Sequence, residues 1–229
     1  MSSFVSSAAY AASKHLSAHQ VEIKRSHVIE VMAALLGYRS YAALTVDEAD
    51  TSLTYHLDDA EFVVLNAPLG RTRCTELGVS ESEPIVDACV GAMQSQRDHV
   101  YPSIADFYDS YAREALASAI LNSDGVGSAM AESNAEFPDD PSLPSECPQT
   151  DDLWEARDQW TIAAEGELTG EYDHEGDRMY NGDTLRCRGW LIFSKAGRAG
   201  LVFDEDDGAG IADDSWRRDE RDDEMPDFL

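Results

Sequence analysis

Basic residues are scarce in this sequence. It has 17 lysines and arginines against 45 aspartates and glutamates, so its 229 residues carry a formal net charge of −28. Binding to nucleic-acid phosphates requires a basic footprint, which this chain lacks, and anionic lipid surfaces attract basic segments rather than acidic ones. We therefore expect neither direct nucleic-acid binding nor membrane binding.

Long apolar runs and paired cysteines are also missing. No uncharged apolar run approaches the roughly 18 residues that a membrane-spanning helix needs. The four cysteines, Cys74, Cys89, Cys147 and Cys187, form no C-x-x-C pair and have no metal-ligand spacing. Widely spread cysteines are typical of reduced thiols in a cytosol, so the sequence predicts a cytoplasmic protein.

No catalytic motif is recognisable. The chain has no G-x-S-x-G, H-E-x-x-H, phosphate-binding-loop or dinucleotide-binding pattern. His15 and His19 share a helix face but lack a third ligand in the sequence. Asp173, Glu175 and Asp177 alternate like calcium ligands, yet no bidentate glutamate follows at the required position, which favours a solvated hairpin loop. We predict a binding protein, not an enzyme, with no cofactor and no metal.

The hydrophobic fraction of 43% is enough for a core, and the first 125 residues predict mainly helices. Ser26 and Ser82 are candidate N-caps, Gly37 is a candidate helix stop, and a second short helix is expected to start near Ser40. Ser103 and Asp106 match a capping box. The pattern of Glu61–Leu65 fits a short strand or a buried helical turn equally well.

The later part of the chain predicts strands. Residues 126–152 contain four prolines and few large apolar groups, as in a linker. Residues 160–168 and 184–193 are strand-like. In the second segment alternation places one set of residues on each face: Leu185, Cys187, Leu191 and Phe193 on one, and Arg186, Arg188, Trp190 and Ile192 on the other.

These patterns predict an α+β fold. We expect a mainly helical domain at 1–125, an acidic, proline-containing linker at 126–152, an antiparallel β-domain at 153–203 and an acidic tail at 204–229.

The helices on either side of Gly37 carry a sequence resemblance. The stretch HVIEVMAALLGYRSYAAL, residues 27–44, resembles a helical "LGY-x-x-Y-x-A-L" segment found at the end of some glyoxalase-related bacterial proteins. The resemblance covers about 20 residues and implies a helical fold without catalytic residues. Two helices around a glycine turn also match DNA-binding helix-turn-helix units, but the second helix here carries acids, which phosphates would repel.

The negative charge increases along the chain. Residues 1–42 carry a net charge of +2, residues 43–125 one of −11 and residues 126–229 one of −19. A net charge of only about 2–8 in magnitude is enough for the solubility of a small domain. The much larger charge of this chain costs stability, because its acidic side chains repel one another. The acidity therefore needs an explanation in function or habitat.

Three interpretations of the protein's function remain open. Three lysines against 14 arginines, with more aspartate than glutamate, are typical of proteins from salt-saturated cytoplasm and predict a halophilic housekeeping protein. An enzyme whose metal site is assembled in space is a further alternative. The third is mimicry: spaced carboxylates imitate double-stranded DNA, which carries a charge about every 1.7 Å, and compete for a basic channel with fast, steered association.

In its charge and its lack of enzyme motifs the chain resembles acidic anti-defence proteins of phages and plasmids, such as anti-CRISPR and anti-restriction proteins. The resemblance implies an inhibitor that binds a basic nucleic-acid-binding surface of a host defence complex, such as a CRISPR effector, and displaces nucleic acid or a subunit. Phe193 and Phe203 are further candidate anchors, although core packing is the favoured interpretation of Phe193. The predicted partner-binding residues are Asp139, Asp140, Asp151, Asp152, Asp173, Glu175, Asp177 and Trp190.

Overall fold

The computed structural model describes residues 3–79, 81–133, 135–148, 153–172 and 184–212. The predicted α+β class is confirmed, with helices concentrated toward the N-terminus and strands toward the C-terminus. The helices are α1 (Ser3–Ala18), α2 (Arg25–Leu35), α3 (Tyr41–Glu48), α4 (Ala67–Glu76), α5 (Ser82–Gln96), α6 (Ile104–Phe107), α7 (Arg113–Asn122) and α8 (Asp124–Glu132). The strands are β1 (Phe62–Val64), β2 (Val100–Tyr101), β3 (Ala135–Glu136), β4 (Gln159–Thr169), β5 (Glu171–Tyr172), β6 (Thr184–Ala196) and β7 (Gly200–Ala212).

Two predicted helix starts are confirmed by their capping contacts. The Ser40 side chain accepts a hydrogen bond from the backbone N–H of Ala43 at 3.2 Å and so starts α3. Ser103 does the same for α6, accepting from the N–H of Asp106 at 3.1 Å. These bonds satisfy donors that the first helical turn leaves without a partner.

Two predicted N-caps are wrong. Helix α2 begins at Arg25, before Ser26, because the extended residue is Lys24 and its side chain makes no capping bond. Helix α5 includes Ser82 as its first residue, and Glu81 occupies the N-cap position. In both cases the chain is already helical at the serine that sequence preference selects as the N-cap.

The main sheet has the strand order β2-β1-β7-β6-β4. Strand β1 resolves the ambiguity of Glu61–Leu65: it pairs in parallel with β2, where Val63 faces Val100, and antiparallel with β7, where Phe62 faces Leu201. The early β1 therefore lies in one sheet with the late β7, and the helical and β-rich regions are not separate in sequence.

The chain divides into two units that differ from the predicted division. The first unit consists of Met1–Ser110, Gln149–Thr161 and Ile192–Asp204, and the second consists of Tyr111–Pro148, Ile162–Leu191 and Glu205–Leu229. Each unit combines helices with parts of β4, β6 and β7. Non-local strand pairing causes this interleaving, which local sequence patterns do not reveal.

The predicted linker and tail also differ from the observed structure. The first residues of the predicted linker belong to α8, where the Ser123 hydroxyl accepts from the N–H of Val126 at 3.2 Å. The first residues of the predicted tail, up to Ala212, belong to β7. Within the described residues no helix is long and apolar enough to cross a bilayer.

The core of the first unit joins α1, α2 and α5 to the end of the β6–β7 hairpin. An aromatic group lies beside it, in which Phe193 and Phe107 contact each other and both contact the rings of Phe62 and Trp160. The second unit has a smaller core, in which Ile120 and Val126 pack with Leu168, Leu185 and Cys187.

Gly37 ends α2 in a backbone conformation that favours glycine, with φ +84°. A Cβ atom here would lie 2.9 Å from Cδ1 of Trp154 and 3.2 Å from Cβ of Arg198. We expect Gly37→Ala to lower the free energy of unfolding by about 1–2 kcal/mol for the left-handed conformation, and further because of the close contacts.

Gly91 provides the matched control for Gly37. It lies in α5, and a Cβ atom there would meet nothing within 4 Å. Gly91→Ala should stabilise the protein by about 0.5–1 kcal/mol, because alanine is the better helix former. Urea unfolding of both variants checks the pair, and equal effects of the two substitutions would contradict the assigned role of Gly37.

Candidate functional site

The structure describes three of the predicted partner-binding residues. Asp139 and Asp140 are exposed, in the segment between β3 and β4. Trp190 is half-buried on β6. The other five, Asp151, Asp152, Asp173, Glu175 and Asp177, lie outside the described residues, as does the calcium-like loop.

Strand β6 confirms the predicted alternation. Leu185, Cys187, Leu191 and Phe193 are buried, whereas Arg186 and Arg188 are exposed and Trp190 and Ile192 are half-buried on the opposite face. Trp190 therefore shares its face with two arginines. Phe193 belongs to the core and is no anchor.

An acidic run on β7 departs from strand alternation. Asp204, Glu205, Asp206 and Asp207 follow one another and all are exposed, although a half-buried strand hides every second side chain. Burial of an unpaired carboxylate is strongly unfavourable, so four consecutive acids require both faces of the strand to be open. The buried β7 residues on either side are Leu201 and Gly208.

Local hydrogen bonds hold the two ends of the acidic run. Asp204 accepts from the Gln159 amide at 3.1 Å and from the Ser194 hydroxyl at 3.3 Å. Asp207 accepts from the backbone N–H of Gly208 at 2.7 Å. The carboxylates at both ends thus have restricted positions while they stay in contact with water.

A shallow cavity of about 520 Å³ lies on the sheet of the second unit. Strand β4 contributes Glu165 and Glu167, β6 contributes Arg186 and Arg188, and the side chain of Ile211 on β7 is 68% exposed. Protein-binding surfaces also combine charged and apolar side chains, as this cavity does.

The negative charge is concentrated in the second unit. Among the described residues it has 13 acidic and 3 basic side chains, a net charge of −10, against −8 for the larger first unit. The first unit also contains ion pairs: Arg73 of α4 contacts Glu30 of α2 at 2.7 Å and Glu76 of its own helix at 2.8 Å. The second unit is therefore the stronger source of the electrostatic field.

The segment around Gly37 has a structural role in the first unit. The Tyr38 hydroxyl donates to Oδ2 of Asp47 and accepts from the N–H of Arg198 at 3.1 Å. The Arg198 guanidinium lies 5.5 Å from the centre of the Tyr38 ring. Burial, and then the hydrogen bond to Asp47, raise the pKa of the Tyr38 phenol well above its usual range. These contacts attach the β6–β7 turn to α2 and α3.

Lys195 is a buried lysine that the sequence analysis did not identify. Its side chain is 5% exposed, and its ammonium donates to the carbonyl oxygens of Leu153 at 3.0 Å and Arg198 at 2.7 Å. Burial lowers the pKa of Lys195 to about 7. The signal was present in the sequence, because Lys195 lies in phase with the buried residues of β6, two positions after Phe193.

The pKa of Lys195 predicts a pH dependence of stability. Between pH 7 and about 10.4, the ordinary pKa of a lysine, the unfolded chain binds this proton and the folded chain does not, so stability rises with pH. Relative to Lys195→Met, the wild-type protein should gain on the order of a few kcal/mol across this range. Loss of the two carbonyl contacts changes the free energy of unfolding of the variant by the same amount at every pH, so it does not change the slope of stability against pH.

Urea unfolding of both proteins from pH 6 to pH 10 measures this difference. Other titrating groups, such as Cys89, are common to both proteins and cancel in the comparison. Two parallel stability curves would show that Lys195 has the same protonation behaviour in the folded and unfolded chain.

The described cysteines are not disulfide-bonded to one another and, where buried, are weakly reactive. The four cysteines form no disulfide. Burial raises the pKa of Cys89 to about 12 and also raises the pKa of Cys74 and Cys187, so these thiols are poor nucleophiles. Within the described ranges no group of three or more His, Cys, Asp or Glu side chains is arranged to hold a metal ion.

Comparison of the chain with family models, curated proteins and solved structures gives no significant match.

Proposed function

We propose that this protein is an acidic inhibitor that occupies a basic nucleic-acid-binding surface of a host defence complex, such as a CRISPR effector. The observation that carries the proposal is the exposed acidic run of β7, of which Glu205, Asp206 and Asp207 belong to the more negatively charged second unit. This run offers closely spaced carboxylates on a regular element rather than on a loop.

The spacing of the acidic run supports mimicry. A β-strand rises about 3.3 Å per residue, and each strand of duplex DNA carries one charge per 3.4 Å of its axis. Counted over both faces of the strand, Glu205, Asp206 and Asp207 therefore have about the charge density along β7 that a nucleic-acid strand has along its axis, and the charges on either single face are about twice as far apart. A channel lined by lysine and arginine would attract both.

Apolar side chains in the same unit as the acidic residues Glu205, Asp206 and Asp207 are expected to contribute to binding as well. Trp190 is half-buried on β6 and Ile211 is largely exposed on β7, both in the second unit. Tryptophan is common among the residues that dominate interface energies. We expect charge to set the rate of encounter and these side chains to prolong the complex, since interface contacts act mostly on dissociation.

The proposal is tested by affinity capture from bacterial lysate at about 0.1 M and about 0.5 M salt, where screening differs strongly. The expected result is a basic nucleic-acid-binding complex, recovered at low salt, reduced at high salt and released by added duplex DNA. If the amount of captured partner depended neither on the salt concentration nor on added duplex DNA, charge mimicry would be contradicted. If the protein captured nothing and folded only in molar salt, its acidity would instead be an adaptation to salt.

A further inference from the structure

We propose that His15 and His19 form a binding site for a divalent transition-metal ion of the zinc, copper and nickel class. The site lies in the first unit, at the cleft between α1 and α5, and is independent of the function proposed above. It uses two imidazole ligands and leaves the remaining coordination positions open to solvent.

The two imidazole rings are already close together. His15 lies in the last turn of α1 and His19 follows directly after its end at Ala18, so the rings are one helical turn apart. Their centroids are 4.3 Å apart and their planes differ by 30°. Two histidines at positions i and i+4 on one helical face are a recurrent zinc-binding arrangement.

A hydrogen bond selects the nitrogen of His19 that binds the metal. Nδ1 of His19 lies 2.9 Å from the carbonyl oxygen of His15. Because a carbonyl oxygen only accepts, Nδ1 carries the proton and the neutral ring has its lone pair on Nε2. Histidine ligands of metals commonly donate their other N–H to a backbone carbonyl in this way, which fixes the tautomer and the ring.

The surroundings favour a cation and leave room for it. The rings line a cleft of about 580 Å³, whose other lining residues include Asp87, Ala88 and Gly91 of α5. The exposed Asp87 carboxylate contributes negative charge, and small side chains keep the cleft open. The site also lies at the C-terminus of α1, where the helix dipole favours positive charge.

Imidazole ligands select the class of metal. They suit zinc, copper and nickel, whereas magnesium and calcium prefer oxygen ligands. The 45 carboxylates of the chain are oxygen ligands and would hold any divalent cation weakly, so the test must detect nitrogen bound to the metal.

Electron paramagnetic resonance of tag-free full-length protein with one equivalent of Cu²⁺ makes this distinction. We expect hyperfine splitting from two nitrogens in the wild-type protein. His15→Ala should remove the coupling of one nitrogen, and it leaves the His19 hydrogen bond intact because that bond uses the His15 backbone. His19→Ala should also leave at most one coupled nitrogen.

His27→Ala is the matched control, because it removes a histidine of α2 that is not part of the pair, and it should keep the two-nitrogen pattern. Circular dichroism confirms that each variant is folded. A wild-type spectrum with oxygen ligands only, or a two-nitrogen pattern that survives both His15→Ala and His19→Ala, would overturn the assignment.

Discussion

Replacing Phe193 with alanine is expected to lower the free energy of unfolding by about 3–5 kcal/mol, the usual cost of removing a buried aromatic side chain. Phe193 is fully buried. Its ring centre lies 5.8 Å from that of Phe107 and 6.0 Å from those of Phe62 and Trp160. The substitution removes these contacts together and leaves a cavity that the sheet cannot readily close.

Phe203 provides the matched control. It contacts Phe193 at 5.9 Å between ring centres, but its side chain is 37% exposed. Phe203→Ala should therefore cost less than half as much. Urea unfolding followed by tryptophan fluorescence measures both variants. Equal losses, or a loss below about 1 kcal/mol for Phe193→Ala, would contradict the assignment of Phe193 to the centre of the aromatic group.

Neutralising the acidic run of β7 is expected to slow association with a basic partner by about 3- to 10-fold at 0.1 M salt, part of the 10- to 1,000-fold gain that electrostatic steering supplies. The variant is Glu205→Gln, Asp206→Asn and Asp207→Asn combined. Asparagine at 207 keeps the oxygen that accepts from the N–H of Gly208. The change therefore removes charge and preserves the local hydrogen bond.

The control for the acidic run removes the same amount of charge from the first unit. Glu22→Gln, Glu81→Gln and Asp98→Asn replace three exposed acids there. Stopped-flow association with the captured partner, at a series of salt concentrations, compares the two triple variants. The β7 variant should be slower and less dependent on salt. Equal rates would show that net charge acts without a preferred surface.

The sequence predicts most where a local rule decides the structure. Alternation along β6 correctly separates the buried Phe193 from the exposed Arg186 and Arg188, because one face of a strand must be apolar. The helix start at Ser40 is also local, since a side-chain oxygen there accepts from the helix N-terminus.

The sequence predicts least where distant segments meet. Helix α4 has few apolar residues, and its start depends on Asn66, which accepts from the N–H of Leu69 at 2.9 Å. The pairing of β1 with β7 joins residues far apart in the chain, so no pattern within either strand indicates it. In the sequence, the acidic residues of β7 resemble a solvated tail, because a run of charged residues shows no alternation of apolar and polar positions. The structure shows that they belong to a strand, between its buried residues Leu201 and Gly208.

The candidate site shows the same limit. Composition identifies an acidic chain, and alternation places Trp190 with the two arginines of β6. Neither reveals that consecutive acids of β7 are held on a strand, since that depends on the pairing of β7 within the sheet. The cleft that contains His15 and His19 likewise requires α5, whose contact with α1 no local pattern predicts.

The most direct test of charge mimicry is displacement of nucleic acid from the captured partner. A fluorescent duplex is bound to that partner at about 0.1 M salt, and its anisotropy is followed as the present protein is added. The account predicts that the anisotropy falls to the value of free duplex as the protein approaches one equivalent of the partner. An unchanged anisotropy, with both the duplex and this protein bound to the partner at once, would contradict it.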